Sequence, residues 1–399
     1  MRKPCRPAPR RRFQRAVALF VVGALASVVG LASGASGQSG SRDQLSAGHQ
    51  SLVGIWPIGN DTLWVFTQNQ TALQGGGQSV ELTTDGGKSW ANVTPPGLSV
   101  TGGTRWINGT FPLSATKAWV VYGGVESNPQ TLLYTGDAGR LWTKVGILPV
   151  EGCVPQFVDP RNGTCTGYGG AAGSMALEIY RTWNGGASWR TIYDGIGEQR
   201  SGRSAPGSLP FGCDKQIQFT SVMQGWALFI CNGGFASLFE TTDGGATWID
   251  RPVTPPPAPP RYGSEFSGTL VLRGSRGAVA FTEGDESLVY VTDDGGDSFT
   301  PVYPPEKARQ WYVDVVTPLQ WRLAYRDTLL GTNNGGKSWF AVTDDATQPI
   351  AREPYAPNAP DVTFANNRQG WLTWGEDNGP LMRTTDGGRE WKPVEIPGT

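Results

Sequence analysis

The chain has 399 residues, 38% of them hydrophobic and 17% charged, with 56 glycines and a formal net charge of −1. Glycine, at about 14%, is roughly twice its ordinary share and charge is well below the ordinary quarter, which argues against a mostly helical protein. The 16 Trp, 11 Tyr and 15 Phe need a core to bury them, which argues against disorder. Residues 1–37 carry Arg2, Lys3, Arg6, Arg10, Arg11, Arg12 and Arg15 and no acid. The remainder has 26 basic against 34 acidic residues, a net charge of −8. A body that acidic is a poor phosphate binder, so nucleic acid is not an expected partner.

The basic start is followed by an apolar run from Ala16 to Ala32 and then by small residues, Ser33 to Gly37. That pattern predicts an export signal over 1–37, with an uncleaved membrane anchor as the alternative. Arg10-Arg11-Arg12-Phe13 also fits a twin-arginine export motif. Residues 38–50 read as a short linker, and residues 51–399 as a single domain. The expected location is outside the cell, or at the envelope if the first segment is retained.

One motif then recurs seven times. It reads TTDGGKSW at Thr83–Trp90, TGDAGRLW at Thr135–Trp142, TWNGGASW at Thr182–Trp189 and TTDGGATW at Thr241–Trp248. It returns as TDDGGDSF at Thr292–Phe299, TNNGGKSW at Thr332–Trp339 and TTDGGREW at Thr384–Trp391. Its third positions are Asp85, Asp137, Asn184, Asp243, Asp294, Asn334 and Asp386, spaced by 52, 47, 59, 51, 40 and 52. Asp-Gly or Asn-Gly followed by Gly is a tight-turn signal, because glycine takes positive φ without a steric penalty. The acid or amide accepts hydrogen bonds from the turn's own N–H groups, and the closing aromatic plugs the hairpin. A residue type needed at seven equivalent turns is scaffolding, not seven active sites.

Upstream of the motifs lie Trp64, Trp119, Trp226, Trp321 and Trp371, 13 to 21 residues before the motif's third position. Tyr168 and Ala278 are expected in the same place in the third and fifth units. Period-two runs such as Gly54–Ile58, Leu63–Thr67, Val80–Thr84 and Trp90–Thr94 give four strands per unit. A period near 50 built of such units predicts an all-β fold, a seven-bladed β-propeller of four-stranded antiparallel blades.

These residues carry a resemblance. T-x-D-G-G-x-[ST]-W is the Asp-box of BNR-type repeats, and the GW…TTDGG-x-TW pattern resembles the photosystem II stability/assembly factor-like propellers. The resemblance covers essentially all of the chain after the first segment. It implies a chaperone-like scaffold for a protein partner, with an envelope or membrane protein as the expected kind. Asp-box turns also occur in sialidases, xyloglucan-cleaving glycosidases and sortilin-type receptors, so carbohydrate is a second possible ligand.

A hydrolase is the alternative. A sialidase-like site needs an arginine triad, a Tyr nucleophile with a Glu partner and an Asp acid/base, and the chain offers scattered arginines such as Arg105, Arg261, Arg273, Arg309 and Arg322, with Tyr262 three residues before Glu265. It lacks the Phe/Tyr-Arg-Ile-Pro signature of sialidases, which have six blades. A retaining or inverting glycosidase needs two carboxylates about 5–9.5 Å apart, and no spacing among the acids points to such a pair. The chain has one histidine, His49, so Ser-His-Asp and Cys-His triads are not expected. The acids of Thr292–Asp297 lack the order of a calcium loop. No catalytic residue, metal or cofactor is assigned.

After Cys5, four cysteines remain, and their proximity pairs Cys153 with Cys165 and Cys213 with Cys231 as disulfides. Zinc is disfavoured because no pair has C-x₂₋₄-C spacing. Two stretches, Gly195–Gly212 and Pro252–Tyr262, read as extended surface connections between blades. The working surface is expected at the loops between second and third strands of blades five to seven. These loops carry Glu283, Asp285, Glu286, Tyr325, Arg326, Trp374, Glu376 and Asp377, flanked by Arg261 and Tyr262. Acids with aromatics beside them suit a basic or amine-bearing partner, held by a monomer.

Overall fold

The computed structural model describes residues 50–69, 77–97, 106–123, 130–169, 176–202, 205–212, 214–230, 237–251, 266–273, 276–283, 286–302, 312–316, 319–325, 328–342, 361–373 and 380–397. Its strands form seven antiparallel sheets, each of four strands in sequence order. The blades occupy 50–92, 106–147, 154–194, 214–251, 266–302, 312–341 and 361–394. This is the seven-bladed propeller that the repeat predicts. Among the described residues no helix is long and apolar enough to cross a membrane.

Every blade is built from consecutive strands, so none is shared between the two ends of the chain. The core explains how the ring holds without that device. Buried apolar side chains gather in seven clusters, and each cluster joins two neighbouring blades. Leu63 and Val65 of the first blade meet Trp371, Leu381 and Ile396 of the last part of the chain, so apolar packing spans the closing junction. Apolar area removed from water is the main stabilising term, so each junction acts as a local core.

Register corrects two expectations about the upstream aromatics. In each blade the second strand pairs with the third so that one residue lies opposite the motif Thr, and the next residue faces the adjoining blade. Trp64, Trp119, Trp226 and Trp371 occupy that next position, as does Ala278 in the fifth blade. In the third blade the position belongs to Thr164, beside Gly163 opposite Thr182, and Tyr168 stands four residues further on with its side chain 41% exposed. In the sixth blade Trp321 itself lies opposite Thr332, so Arg322 takes the tryptophan's place.

The connection after the third blade also differs from the extended loop expected. Residues Gly195–Ser201 form a short helix, capped by Asp194 accepting from the Gly197 N–H at 2.6 Å. The Tyr193 hydroxyl accepts from the Leu209 N–H at 2.9 Å, and Leu209 is buried against the fourth blade. Folding the connection back this way satisfies its polar groups and adds an apolar anchor. Cys153 and Cys165 are disulfide-bonded within the third blade. Cys213, Cys231, residues 1–49 and Pro252–Tyr262 lie outside the described residues.

Candidate functional site

The seven repeated turns have one hydrogen-bond plan. Each Thr hydroxyl donates to the Oδ1 atom of the Asp or Asn two residues on, at 2.8–3.0 Å. The same hydroxyl accepts from the N–H of the turn's second glycine, at 2.8–2.9 Å. Oδ1 also accepts the N–H four residues beyond itself, at 2.9–3.0 Å. The Ser298 hydroxyl and N–H hold Asp294 at about 2, and hydrogen bonds from Ser89 push Asp85 well below the ordinary carboxylate range. A carboxylate held ionised and fully bonded is a poor proton donor at neutral pH. These acids are turn pins.

The turns also build the blade junctions. The second glycine, with φ between 80° and 97°, lies against the preceding blade in all seven cases. A Cβ on Gly87 would stand 2.5 Å from Val394, and one on Gly296 only 2.0 Å from Trp226. Glycine is required there twice over, for its backbone and for the space. The neighbouring tryptophans reach the same region. Trp119 Nε1 donates to the Gly185 carbonyl of the next blade at 3.1 Å and its ring stacks on Phe157 at 3.7 Å. In the sixth blade Arg322 does the tryptophan's work, donating from Nε to the Gly387 carbonyl at 3.4 Å and lying over Phe364.

A cleft of about 310 Å³ opens between the sixth and seventh blades beside Arg322. Gln320, Asn333, Asn367, Arg368 and Arg389 line it with Phe340, and its one carboxylate is the turn acid Asp386. Such a lining can hold an anionic or strongly polar group. Its single acid is already bonded to Thr384 and to backbone N–H groups, so this cleft does not supply the paired carboxylates of a glycosidase.

The residues singled out from the sequence as a working surface are only partly placed. Glu283 and Glu286 sit opposite each other at the close of the second-to-third strand hairpin of blade five. Tyr325 ends the second strand of blade six opposite Thr328. Strand order puts these loops at the end of the blades away from the repeated turns. Asp285, Arg326, Trp374, Glu376, Asp377, Arg261 and Tyr262 lie outside the described residues. Sequence reasoning named Arg322 only as one of several scattered arginines and missed that Arg181, Arg322 and Arg383 are enclosed at the turn end. The pair Arg-Thr at the head of two motifs, Arg181-Thr182 and Arg383-Thr384, is the signal that would have found two of them.

No family model matches the chain. A xyloglucanase from Paenibacillus sp is 24% identical over 306 residues, 73% of this chain and 26% of the relative, so the chain spans about a quarter of that protein's length. The solved structure of YCF48 bound to D1 peptide is 15% identical, with a TM-score of 0.51 over 88% of this chain and 93% of its own. YCF48 from Cyanidioschyzon merolae gives 14% identity and a TM-score of 0.50 over 86% and 94%. An ancestral GH74 enzyme gives 15% and 0.52 over 88% of this chain and 48% of its own. The likeness is one of fold. Peptide-binding and glycoside-hydrolase propellers share it, so function must be argued from the surface.

Proposed function

We propose that this chain is an exported, non-catalytic propeller that acts as a binding or assembly scaffold for a protein partner. The observation that carries this reading is extent. The likeness to the YCF48 chain bound to D1 peptide runs over 88% of this chain and 93% of that one. The Asp-box acids are absorbed in turns, and the sequence of the two-to-three loops of blades five to seven carries acids next to aromatics, suited to a basic segment of the partner. Electrostatic steering brings such a partner in, and aromatic side chains anchor it.

The test is capture. Protein bearing Glu283→Lys, Asp285→Lys, Glu376→Lys and Asp377→Lys is compared with the parent as bait for an envelope extract. The reading expects a specific protein retained by the parent and lost by the variant. Retention of every captured protein by the variant, with loss on altering a loop at the turn end, places the docking surface on the wrong side. The second reading, a carbohydrate-active glycoside hydrolase, is favoured by the 24% identity to a xyloglucanase. It expects release of oligosaccharides and has no need of a protein partner.

A further inference from the structure

Arg181 and Arg383 hold the same place, immediately before the motif Thr, and each reaches the first glycine of the next blade's turn. A Cβ on Gly244 would fall within 2.3 Å of the Arg181 guanidinium, and one on Gly86 within 2.5 Å of that of Arg383. What completes the two arginines differs. Arg383 donates from Nη2 to Asp61 Oδ1 at 2.5 Å and from Nη1 to the Gly86 carbonyl at 3.0 Å. Its guanidinium lies 5.2 Å from the Trp371 ring, which is its cross-strand neighbour.

Arg181 has none of these. Its cross-strand neighbour is Thr164. Its Nε and Nη2 have no hydrogen-bond acceptor among the described residues, and Nη1 meets the Met223 sulfur at 3.9 Å. Met223 is the counterpart of Asp61, because the Gly244 N–H donates to the Met223 carbonyl as the Gly86 N–H donates to the Asp61 carbonyl, both at 2.8 Å. Arg181 is 5% exposed. A guanidinium so enclosed with open donors is costly unless something supplies an acceptor. Burial weighs against the Arg181 charge more than nearby Asp243 favours it, and that carboxylate is tied to Thr241 and Thr247. Above Arg181 stand two large exposed side chains, Met223 at 50% and Trp183 at 45%, the indole 5.9 Å from the guanidinium carbon. Met is flexible enough to swing away, and Trp beside Arg is the composition of an interface anchor.

We propose that the junction of the third and fourth blades is a docking site for a carboxylate side chain of a protein partner. The incoming carboxylate displaces Met223 and bonds Arg181 as Asp61 bonds Arg383, while an adjacent apolar residue covers Trp183. The site lies at the turn end of the blades, away from the hairpin tips of blades five to seven. It rests on the scaffold reading only for the source of the carboxylate.

The test uses the full protein with ¹⁵N-labelled tryptophan indoles and two tripeptide probes, acetyl-Leu-Asp-Leu-amide and its Leu-Asn-Leu counterpart. The Trp183 resonance, assigned by Trp183→Phe, should shift saturably with the Asp peptide and bind the Asn peptide at least about tenfold more weakly. Met223→Asp, which places a carboxylate over Arg181 from within the chain, should lose the Asp peptide by a similar factor and melt at a higher temperature. Arg181→Gln should also lose it, and Met223→Asp carries the test if that variant fails to fold. Equal response to both peptides, no Trp183 shift with either, or undiminished binding by Met223→Asp overturns the proposal. Glu283→Lys with Asp285→Lys should leave this titration unchanged, so failure here is read separately from failure of the hairpin-tip surface.

Discussion

Arg383 of the last blade and Asp61 of the first are 322 positions apart in sequence and joined at 2.5 Å from Nη2 to Oδ1. Among the described residues no strand is shared across the junction, which this pair spans together with the Asn366–Asn60 side-chain hydrogen bond and the apolar cluster of Leu63, Val65, Trp371, Leu381 and Ile396. The Arg383 side chain is 13% exposed and that of Asp61 51%. Water therefore screens part of the attraction on the Asp61 side, and the worth of the pair lies between that of a surface and a buried bridge.

Asp61→Ala should lower stability by about 1–2 kcal/mol, because it leaves a largely enclosed guanidinium with the Gly86 carbonyl and the Trp371 ring. Urea midpoints of the parent and variant measure it. An unchanged midpoint means that the ring closes without help from this pair.

The turn acids give a pH-dependent prediction. Asp294→Ala frees turn N–H groups and should cost roughly 1–2 kcal/mol at neutral pH. Asp294→Asn should cost far less, since Asn184 and Asn334 make the same turn in other blades. The carboxylate's folded-state pKa is depressed to about 2, chiefly by the Ser298 hydroxyl. Its stabilisation is therefore present above about pH 4 and lost as pH falls through about 2, where it must protonate. The Asn variant should lose less stability than the parent between those limits, measured as melting temperature against pH.

The sequence made the turns legible because their chemistry is local. A Thr, an Asp or Asn and a glycine of positive φ must stand at fixed offsets, and no tertiary contact is needed to see it. The upstream aromatic was harder to place, because its distance from the motif varies with the length of the intervening hairpin. Only pairing opposite the motif Thr settles that Thr164 rather than Tyr168, and Arg322 rather than Trp321, takes the position that tryptophan holds in four other blades. The interior arginines were legible only in part: an Arg before the motif Thr marks Arg181 and Arg383, but Arg is ordinarily a surface residue and charge patterning says nothing of which blade it enters. The hairpin tips followed from strand order, but the chemistry between their side chains did not.

Ala138 supplies a test of the turn's backbone demand. It is the one non-glycine residue with positive φ among the described residues, at 65°, in the place where other turns have glycine. A left-handed alanine costs about 1–2 kcal/mol, and glycine loses part of that through its freer unfolded chain. Ala138→Gly should thus stabilise by about 0.5 kcal/mol. Gly296→Ala should do the opposite, by about 3 kcal/mol, since its Cβ would enter the Trp226 ring. Thermal unfolding of the two variants checks both signs.

The Cys153–Cys165 bridge closes a loop of sequence separation 12. Its loss in Cys153→Ser/Cys165→Ser should lower stability by about 3 kcal/mol in the chain-entropy account. Mass spectrometry of exported protein should find that bridge intact and, beside it, Cys213 joined to Cys231 with no free thiol among the four. A bond from Cys165 to Cys213 would contradict the pairing.

The central claim is that this ring binds and does not cut. Incubation of the purified protein with xyloglucan, followed by measurement of reducing ends over time, tests it most directly. The scaffold account predicts no release above a boiled-protein control at any pH. Saturable release of oligosaccharides that disappears when a single carboxylate is replaced by its amide would contradict it and establish the hydrolase reading.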